Sequence, residues 1–245
     1  MKRSFSIITA LLLTVTFCLS CSEKISNTGT ISFRVSSESV LAEVTKSNLS
    51  SFTALPSGGD FDLLLQDSKE KTIYEGKAKD YPADKALVAG NYTVTATYGD
   101  VTQEGFDLPC LKGVQQFTVS GGSTNEVEIN ATLQNALIKV LCTDMFKKYY
   151  TSYSFTIKTG NGSTISFPST ETRAAFVDAY TISVEGNLTN QGGKAQSFTK
   201  SYSTSLSPAT CYTLKFDASN IGSGTITITF DDHVDDVEPG MIELN

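Results

Sequence analysis

The chain has 245 residues, of which 40% are hydrophobic and 18% charged, enough for one large domain or two small ones. Its 19 basic and 26 acidic residues give a formal net charge of −7, which argues against a nucleic-acid-binding surface. Few charges together with many Ser, Thr, Gly, Phe and Tyr residues favour an all-β exported protein over a helical one.

Residues 1–20 have the pattern of a lipoprotein signal peptide. A basic start, MKR, precedes an apolar run from Ile7 to Phe17 that is too short to span a membrane. The run ends in LSC at Cys21, which resembles the lipobox of bacterial lipoproteins, although Cys18 stands where an aliphatic residue is usual. We predict that Cys21 is acylated and that residues 21–27 form a tether. An ordinary signal peptide with an incidental cysteine is the alternative.

Acylation of Cys21 would attach the protein to the outer membrane, which would then be one of its partners. Each buried CH₂ of an acyl chain contributes roughly 0.8 kcal/mol, so a multiply acylated cysteine anchors firmly. The next residues, SEK, hold one acid, whereas an acid-rich tag is typical here of surface-exported lipoproteins of the Bacteroides group. The sequence does not decide whether the protein lies on the periplasmic face or on the cell-surface face of that membrane.

Alternating apolar positions predict the first set of strands, in residues 28–135. Glycine-containing turns such as Gly58-Gly59, Gly99-Asp100 and Gly121-Gly122 separate the strands. The residues that share a face form three sets: Phe61, Leu63 and Leu65; Tyr92, Val94, Ala96 and Tyr98; and Val127, Ile129, Ala131 and Leu133.

The stretch LVAGNYTVTATYGD, residues 87–100, contains a glycine just before a strand. We predict that Gly90 has a positive φ and lets the chain turn sharply before Tyr92. Thr93, Thr95 and Thr97 should then occupy the solvated face. A phosphate-binding loop would need more glycines and a following helix, so the structural interpretation is favoured.

The second half, residues 136–245, repeats the same kind of pattern. AYTISVEGN (179–187) resembles NYTVTATYGD (91–100), and the join at residues 134–136 lacks linker composition. We therefore predict two closely apposed β-sandwiches, Ig-like or prealbumin-like, over 28–135 and 136–245. A short helix is expected near Thr143 to Tyr150. The alternating sets here are Phe155 and Ile157; Tyr180, Ile182 and Val184; Tyr212, Leu214 and Phe216; and Ile226, Ile228 and Phe230.

Cysteine and histidine usage argues against a catalytic or zinc site. After removal of Cys18 and acylation of Cys21, three cysteines remain, none in a CxxC motif or a Cys/His cluster: Cys110, Cys142 and Cys211. A disulfide between two of them is possible in an oxidising compartment, but the sequence gives no pairing, and free buried thiols are favoured. The single histidine, His233, lies in an acidic segment, which leaves a catalytic cysteine without a basic partner.

The remaining polar groups predict no catalytic residue, metal ligand or cofactor. An acidic cluster near the C-terminus lacks the EF-hand spacing and is more typical of a solvated connection: Asp231, Asp232, Asp235, Asp236 and Glu238. The chain has no Trp, so a sugar-binding platform would have to use tyrosines near predicted loops, for which packing over strand edges is the alternative: Tyr74, Tyr81, Tyr149, Tyr150 and Tyr153.

Several segments in the same order resemble a family of Bacteroides-type lipoproteins defined by a domain of unknown function. They are GGDFDLLLQDS, IYEG, DYP, LVAGNYTVTATYGD, GFDLPCLKGVQQFTV and VEINATLQNALIKVL, within a resemblance over about residues 25–240. The resemblance implies an envelope lipoprotein and supplies no catalytic residues. Two sandwiches behind a lipid anchor are also similar, more loosely, to fimbrillin-like adhesins.

Two functions remain from these observations. The first is a non-catalytic envelope lipoprotein in adhesion or surface assembly, with surface proteins or glycans as partners. The second is a glycan-binding accessory lipoprotein of a polysaccharide-utilisation system, which the resemblance to proteins with carbohydrate-related modules suggests.

Overall fold

The computed structural model describes residues 27–37, 49–218, 225–231 and 240–243, and the fold is all-β. Three 3₁₀ turns lie at Leu49–Ser51, Gly58–Asp60 and Ala78–Asp80. The strands of the first half are β1 Thr28–Ser36, β2 Asp62–Asp67, β3 Thr72–Lys77, β4 Leu87–Val88, β5 Gly90–Tyr98, β6 Gly105–Phe106, β7 Leu111–Val119, β8 Thr124–Asn130 and β9 Thr132–Leu133.

The second half adds nine strands and a helix, α1, at Asp144–Tyr149. These strands are β10 Ala136–Cys142, β11 Tyr150–Thr159, β12 Thr164–Pro168, β13 Ala175–Val177, β14 Ile182–Asn190, β15 Ala195–Tyr202, β16 Cys211–Asp217, β17 Thr225–Asp231 and β18 Gly240–Glu243.

The first sandwich packs a three-stranded sheet, β4-β1-β8, against a five-stranded sheet, β3-β2-β5-β7-β9. The alternating apolar sets predicted from the sequence form its core, because each places its apolar side chains on one face. Leu63 and Leu65 on β2, Val94 on β5 and Ile129 on β8 are all buried. Strands β1 and β8 pair in parallel, with Thr30 opposite Thr124 and Ser36 opposite Asn130.

The second sandwich packs a six-stranded sheet, β18-β17-β16-β10-β13-β6, against a four-stranded sheet, β12-β11-β14-β15. Phe155 of β11 stacks on Phe216 of β16 with the ring centroids 4.0 Å apart and 15° between the planes. Strand β10 pairs in parallel with β16. In each sandwich the first strand therefore pairs in parallel with a strand that comes late in the same half of the chain: β1 with β8, and β10 with β16. The weak sequence repeat thus corresponds to a repeat of topology.

The two halves share packing at their junction. Strand β6 comes from the first half but pairs with β13, placing Phe106 opposite Ala175. Four residues of the second half belong to the apolar core of the first sandwich: Leu137, Ala174, Phe176 and Cys211. Separate domains over 28–135 and 136–245 stay a prediction.

Polar contacts reinforce this junction. The Glu104 carboxylate accepts a hydrogen bond from Thr159 Oγ1 at 2.6 Å and one from the backbone N–H of Asp178 at 2.8 Å. The Arg173 guanidinium lies 4.7 Å from the Phe106 ring centroid and forms an ion pair with Asp107 at 2.7 Å. The segment from 104 to 107 is thus fixed to the second sandwich on both sides.

Gly90 lies where the chain leaves the three-stranded sheet after β4 and enters the five-stranded sheet as β5. Its φ of +159° is positive, as predicted, and a Cβ there would meet no atom within 4 Å. The tighter glycine is Gly99, with φ +74°, where a Cβ would collide with the carbonyl oxygen of Pro109.

Two further predictions have different outcomes. Helix α1 lies where it was expected, and Thr143 caps it by accepting a hydrogen bond from the backbone N–H of Phe146 at 3.2 Å. The placement of Tyr180 on a buried strand face is wrong, because β14 begins two residues later, at Ile182, and Tyr180 is 50% exposed.

Candidate functional site

The three cysteines that were expected to be free thiols are free and buried. Burial raises the pKa of Cys142 to about 12 and that of Cys211 to about 11, and burial also raises the pKa of Cys110. A thiol reacts as its thiolate, so these residues pack as small apolar side chains rather than acting as nucleophiles.

The tyrosines considered as a sugar platform do not form one. Tyr150 is 1% exposed, and burial raises its pKa to about 12. Tyr74 and Tyr81 pack edge to face with centroids 5.0 Å apart, and Tyr153 packs edge to face on Phe146. The alternative considered for these residues, packing within and beside the sheets, is the one that the structure has.

Other predicted sites lie outside the part of the chain that the structure describes. Cys21 and His233 lie outside the described residues, as does the acidic cluster except for Asp231, the last residue of β17. Among the described residues, no group of three or more His, Cys, Asp or Glu side chains could hold a metal ion. Within the same ranges, no helix has the length and apolar character needed to cross a membrane.

The most distinctive surface is the outer face of the four-stranded sheet, which we call the hydroxyl face. Alternation turns the apolar residues of β11, β12, β14 and β15 inward, so the intervening residues point outward. Register places them in rows across the sheet, and most are Ser or Thr: Thr164, Lys158, Ser183 and Ser201; Ser166, Thr156, Glu185 and Thr199; Pro168, Ser154, Asn187 and Ser197; and Ser152, Thr189 and Ala195.

The hydroxyl face is almost free of uncompensated charge. Lys158 and Glu185 lie on neighbouring strands and form an ion pair at 2.6 Å. Toward the end formed by Ser152, Thr189 and Ala195, the surface has a shallow depression of about 440 Å³. The face therefore offers many small hydrogen-bonding groups and one internally neutralised charge pair.

Chain direction places this face in the sandwich farther from the predicted anchor. Strand β1 starts at Thr28, and the parallel strand β8 ends at Asn130, at the opposite end of the first sandwich. The chain continues from there through β9 into β10. The first sandwich therefore stands between residue 28 and the second sandwich.

The hydroxyl face is not evident from the sequence. The available signal was the Ser and Thr residues between the apolar positions of β11, β14 and β15, which taken singly are ordinary solvent-facing residues. Only register shows that four strands align them into one surface.

A family model described as a domain of unknown function, DUF4493, matches residues 27–243. No curated protein matches the sequence. Among solved structures, a candidate cell adhesion protein from Bacteroides eggerthii is 11% identical with a TM-score of 0.46, and the match covers 88% of this chain and 94% of that chain.

Two other solved structures show likenesses of the same order. A candidate polysaccharide binding protein (DUF1812) from Bacteroides thetaiotaomicron is 12% identical with a TM-score of 0.42, over 82% of this chain and 95% of that chain. The fimbrial anchor protein Mfa2 from Porphyromonas gingivalis is 8% identical with a TM-score of 0.41, over 84% and 98%. Similarity at this level carries no argument about the function of this chain.

Proposed function

The chain belongs to the DUF4493 family, as its resemblance to a family with a domain of unknown function predicted, and we propose that it is a non-catalytic lipoprotein of the cell envelope that acts in adhesion or surface assembly. The observation that carries this proposal is the hydroxyl face, a broad and nearly uncharged surface in the sandwich that lies beyond the one nearest residue 28.

The proposed anchor is an acylated Cys21, which places the protein at the outer membrane. The first residue of β1, Thr28, is seven positions after Cys21, and an extended chain of that length spans at most roughly 25 Å. The first sandwich would then stay close to the bilayer, and the second sandwich, with its hydroxyl face, would project away from it.

The chemistry of the hydroxyl face suits contact with another macromolecule. Ser and Thr side chains have little rotational freedom to lose, so ordering them on binding costs less than ordering Lys, Arg or Gln. The Lys158–Glu185 pair is already formed, so a partner need not neutralise either charge. Hydroxyls both donate and accept hydrogen bonds, so such contacts tolerate bridging water.

The size of the face indicates a weak individual contact. Four strands about 4.8 Å apart and about seven residues long cover roughly 400 Å², about half of the ~800 Å² that each partner contributes to a standard interface. Many copies tethered to one membrane would bind together far more tightly than one copy, which is how a weak contact serves adhesion.

The proposal that the protein is not an enzyme is supported by its most reactive groups. The raised pKa values of Cys142 and Cys211 keep both thiols protonated at neutral pH. A nucleophile in a catalytic site needs the opposite environment, one that favours the thiolate or supplies an adjacent base.

A matched pair of threonine substitutions tests the role of the face. Thr156 on β11 and Thr95 on β5 are both half-buried and both lie on the outer face of an inner strand. Beads coated with residues 22–245 are mixed with cells of the producing bacterium from which the gene has been deleted, and attachment is counted by flow cytometry. We expect Thr156→Arg to abolish attachment and Thr95→Arg to leave it unchanged. Equal attachment of the two variants would contradict the proposal.

A further inference from the structure

The strand that follows the predicted tether, β1, is held in the first sandwich mainly by one parallel neighbour. Strand β1 has nine residues. Its first two residues pair with β4, and the following seven, from 30 to 36, pair with β8 without a shift in register. Strand β8 therefore supplies most of the strand-to-strand pairing that holds β1 in place.

Backbone hydrogen bonds are formed at both ends of this parallel pair. The N–H of Thr30 donates to the carbonyl oxygen of Ser123 at 2.9 Å. At the other end, the N–H of Ala131 donates to the carbonyl oxygen of Ser36 at 2.8 Å. Bonds in a parallel pair are evenly spaced, so a continuous ladder joins β1 to β8 between these two bonds.

The inner side chains of β1 fix its register. Ile31 is 1% exposed in the core of the first sandwich, and Phe33 packs edge to face on Phe117 with the ring centroids 6.2 Å apart. A shift of one residue would turn these side chains outward, so the next register that suits the core lies two residues, or about 7 Å, away. Strand β1 therefore cannot slide past β8 in small steps.

The two ends of the first sandwich have different connections. Strand β1 begins at Thr28, beside the predicted tether, whereas β8 ends at the opposite end and continues through β9 into β10 of the second sandwich. Tyr98, the last residue of β5, lies opposite Leu111, which in turn lies opposite Leu133 of β9. The segment from 104 to 107, which contacts the second sandwich, thus leaves the sheet at this same end.

Tension between the tether and the second sandwich would act along β1 and β8 in shear. Such tension draws β1 by its first residue toward the tether, while β8 is held from its last residue. A single hydrogen bond contributes little to stability, so the resistance depends on how many bonds are loaded at once. Shear loads the whole ladder together, whereas peeling from one end would break the bonds one after another.

We propose that β1 and β8 form a mechanical clamp that carries tension between the membrane anchor and the second sandwich. This inference rests on the proposed function, because an anchored protein that attaches through its second sandwich is pulled between these two points. The clamp belongs to the first sandwich and the hydroxyl face to the second. The clamp can be tested without acylation and without an adhesive partner.

Single-molecule force spectroscopy of residues 22–245 tests the clamp by changing only the direction of pulling. One handle is attached at the N-terminus and the other at an introduced cysteine. Asn130→Cys pulls the strand pair in shear, and Thr124→Cys peels β1 from the end where it begins. Both positions are exposed and lie on the outer face of β8. The native thiols are buried, so the handle reacts with the introduced cysteine: Cys110, Cys142 and Cys211.

At one loading rate, we expect the unfolding force of Asn130→Cys to be at least about twice that of Thr124→Cys, because the ladder shares the load. The compared events are those that release the chain between the handles, with a gain in contour length of roughly 350 Å. Thermal melting verifies that both variants are equally stable, so a difference in force reports the direction of pulling. Equal forces, or a higher force for Thr124→Cys, would overturn the clamp, whereas the adhesive role and the Cys21 anchor have their own tests.

Discussion

Glu104 should stabilise the whole protein because it joins the two sandwiches. Its carboxylate accepts one hydrogen bond from Thr159 Oγ1 and another from the backbone N–H of Asp178, and Thr159 is only 7% exposed. Hydrogen bonds to a charged group contribute roughly 1.5–3 kcal/mol each when buried, and less when partly solvated. We therefore expect Glu104→Ala to lower the free energy of unfolding by about 2–3 kcal/mol.

Thermal melting followed by circular dichroism measures this effect. For a protein of 150–250 residues, each kcal/mol shifts Tm by roughly 2–4 °C, so Glu104→Ala should lower Tm by about 4–12 °C. Glu75→Ala is the control, since Glu75 is an exposed carboxylate on β3. If Glu104→Ala melts together with Glu75→Ala and the wild type, the carboxylate does not hold the sandwiches together and the reasoning is refuted.

Three further outcomes follow from particular residues. The hydrogen bond from Arg173 lowers the pKa of Glu171 from 4.5 to about 2. The ionised Glu171 therefore stabilises the fold above pH 4.5, and this stabilisation is lost as the pH falls toward 2. In urea titrations over that pH range, Glu171→Gln should lose less stability than the wild type. Gly99→Ala should lower Tm more than Gly122→Ala in calorimetry, because both glycines have φ +74° but only at Gly99 would a Cβ collide with backbone, and equal melting temperatures would contradict this. Ellman's reagent should find no reactive thiol in folded residues 22–245. After guanidinium is added it should find three thiols, those of Cys110, Cys142 and Cys211. A single thiol after denaturation would instead indicate a disulfide.

Much of the fold could be predicted because period-two alternation is a local property. Tyr92, Val94 and Ala96 alternate with threonines, and the structure buries all three on β5. Position relative to strand ends is not local, which is why Tyr180 was misplaced: it matches Tyr92 in the repeat but precedes its strand.

The junction was less accessible to sequence reasoning. Because residues 134–136 lack linker composition, the two halves were predicted to be apposed. The residues around Phe106, however, carry no pattern that predicts the pairing of β6 with the sheet of the other half. A two-residue strand has too few positions to show a period, and its pairing is decided by tertiary contacts such as those of Arg173 and Glu104.

The hydroxyl face depends on register. Thr156 and Thr199 are separated by 43 positions and come together only because β11 and β15 flank β14, with Thr156 opposite Glu185 and Glu185 opposite Thr199. Of the tyrosines that the sequence suggested for sugar binding, Tyr150 is packed in the core of the second sandwich, and the other four are partly buried against one core or the other. Aromatic content alone could not distinguish a platform from a core residue.

The measurement that tests the central claim most directly is the chemical state of Cys21 in the producing cell. Cells are grown with an alkyne-bearing palmitate, membranes are separated from soluble protein, and the N-terminal peptide is analysed by mass spectrometry. The account predicts an acylated N-terminal Cys21 in the membrane fraction, and unlabelled Cys21→Ser protein that leaves this fraction. Membrane retention of Cys21→Ser with an unchanged N-terminus, or an unmodified Cys21 in the wild type, would contradict it.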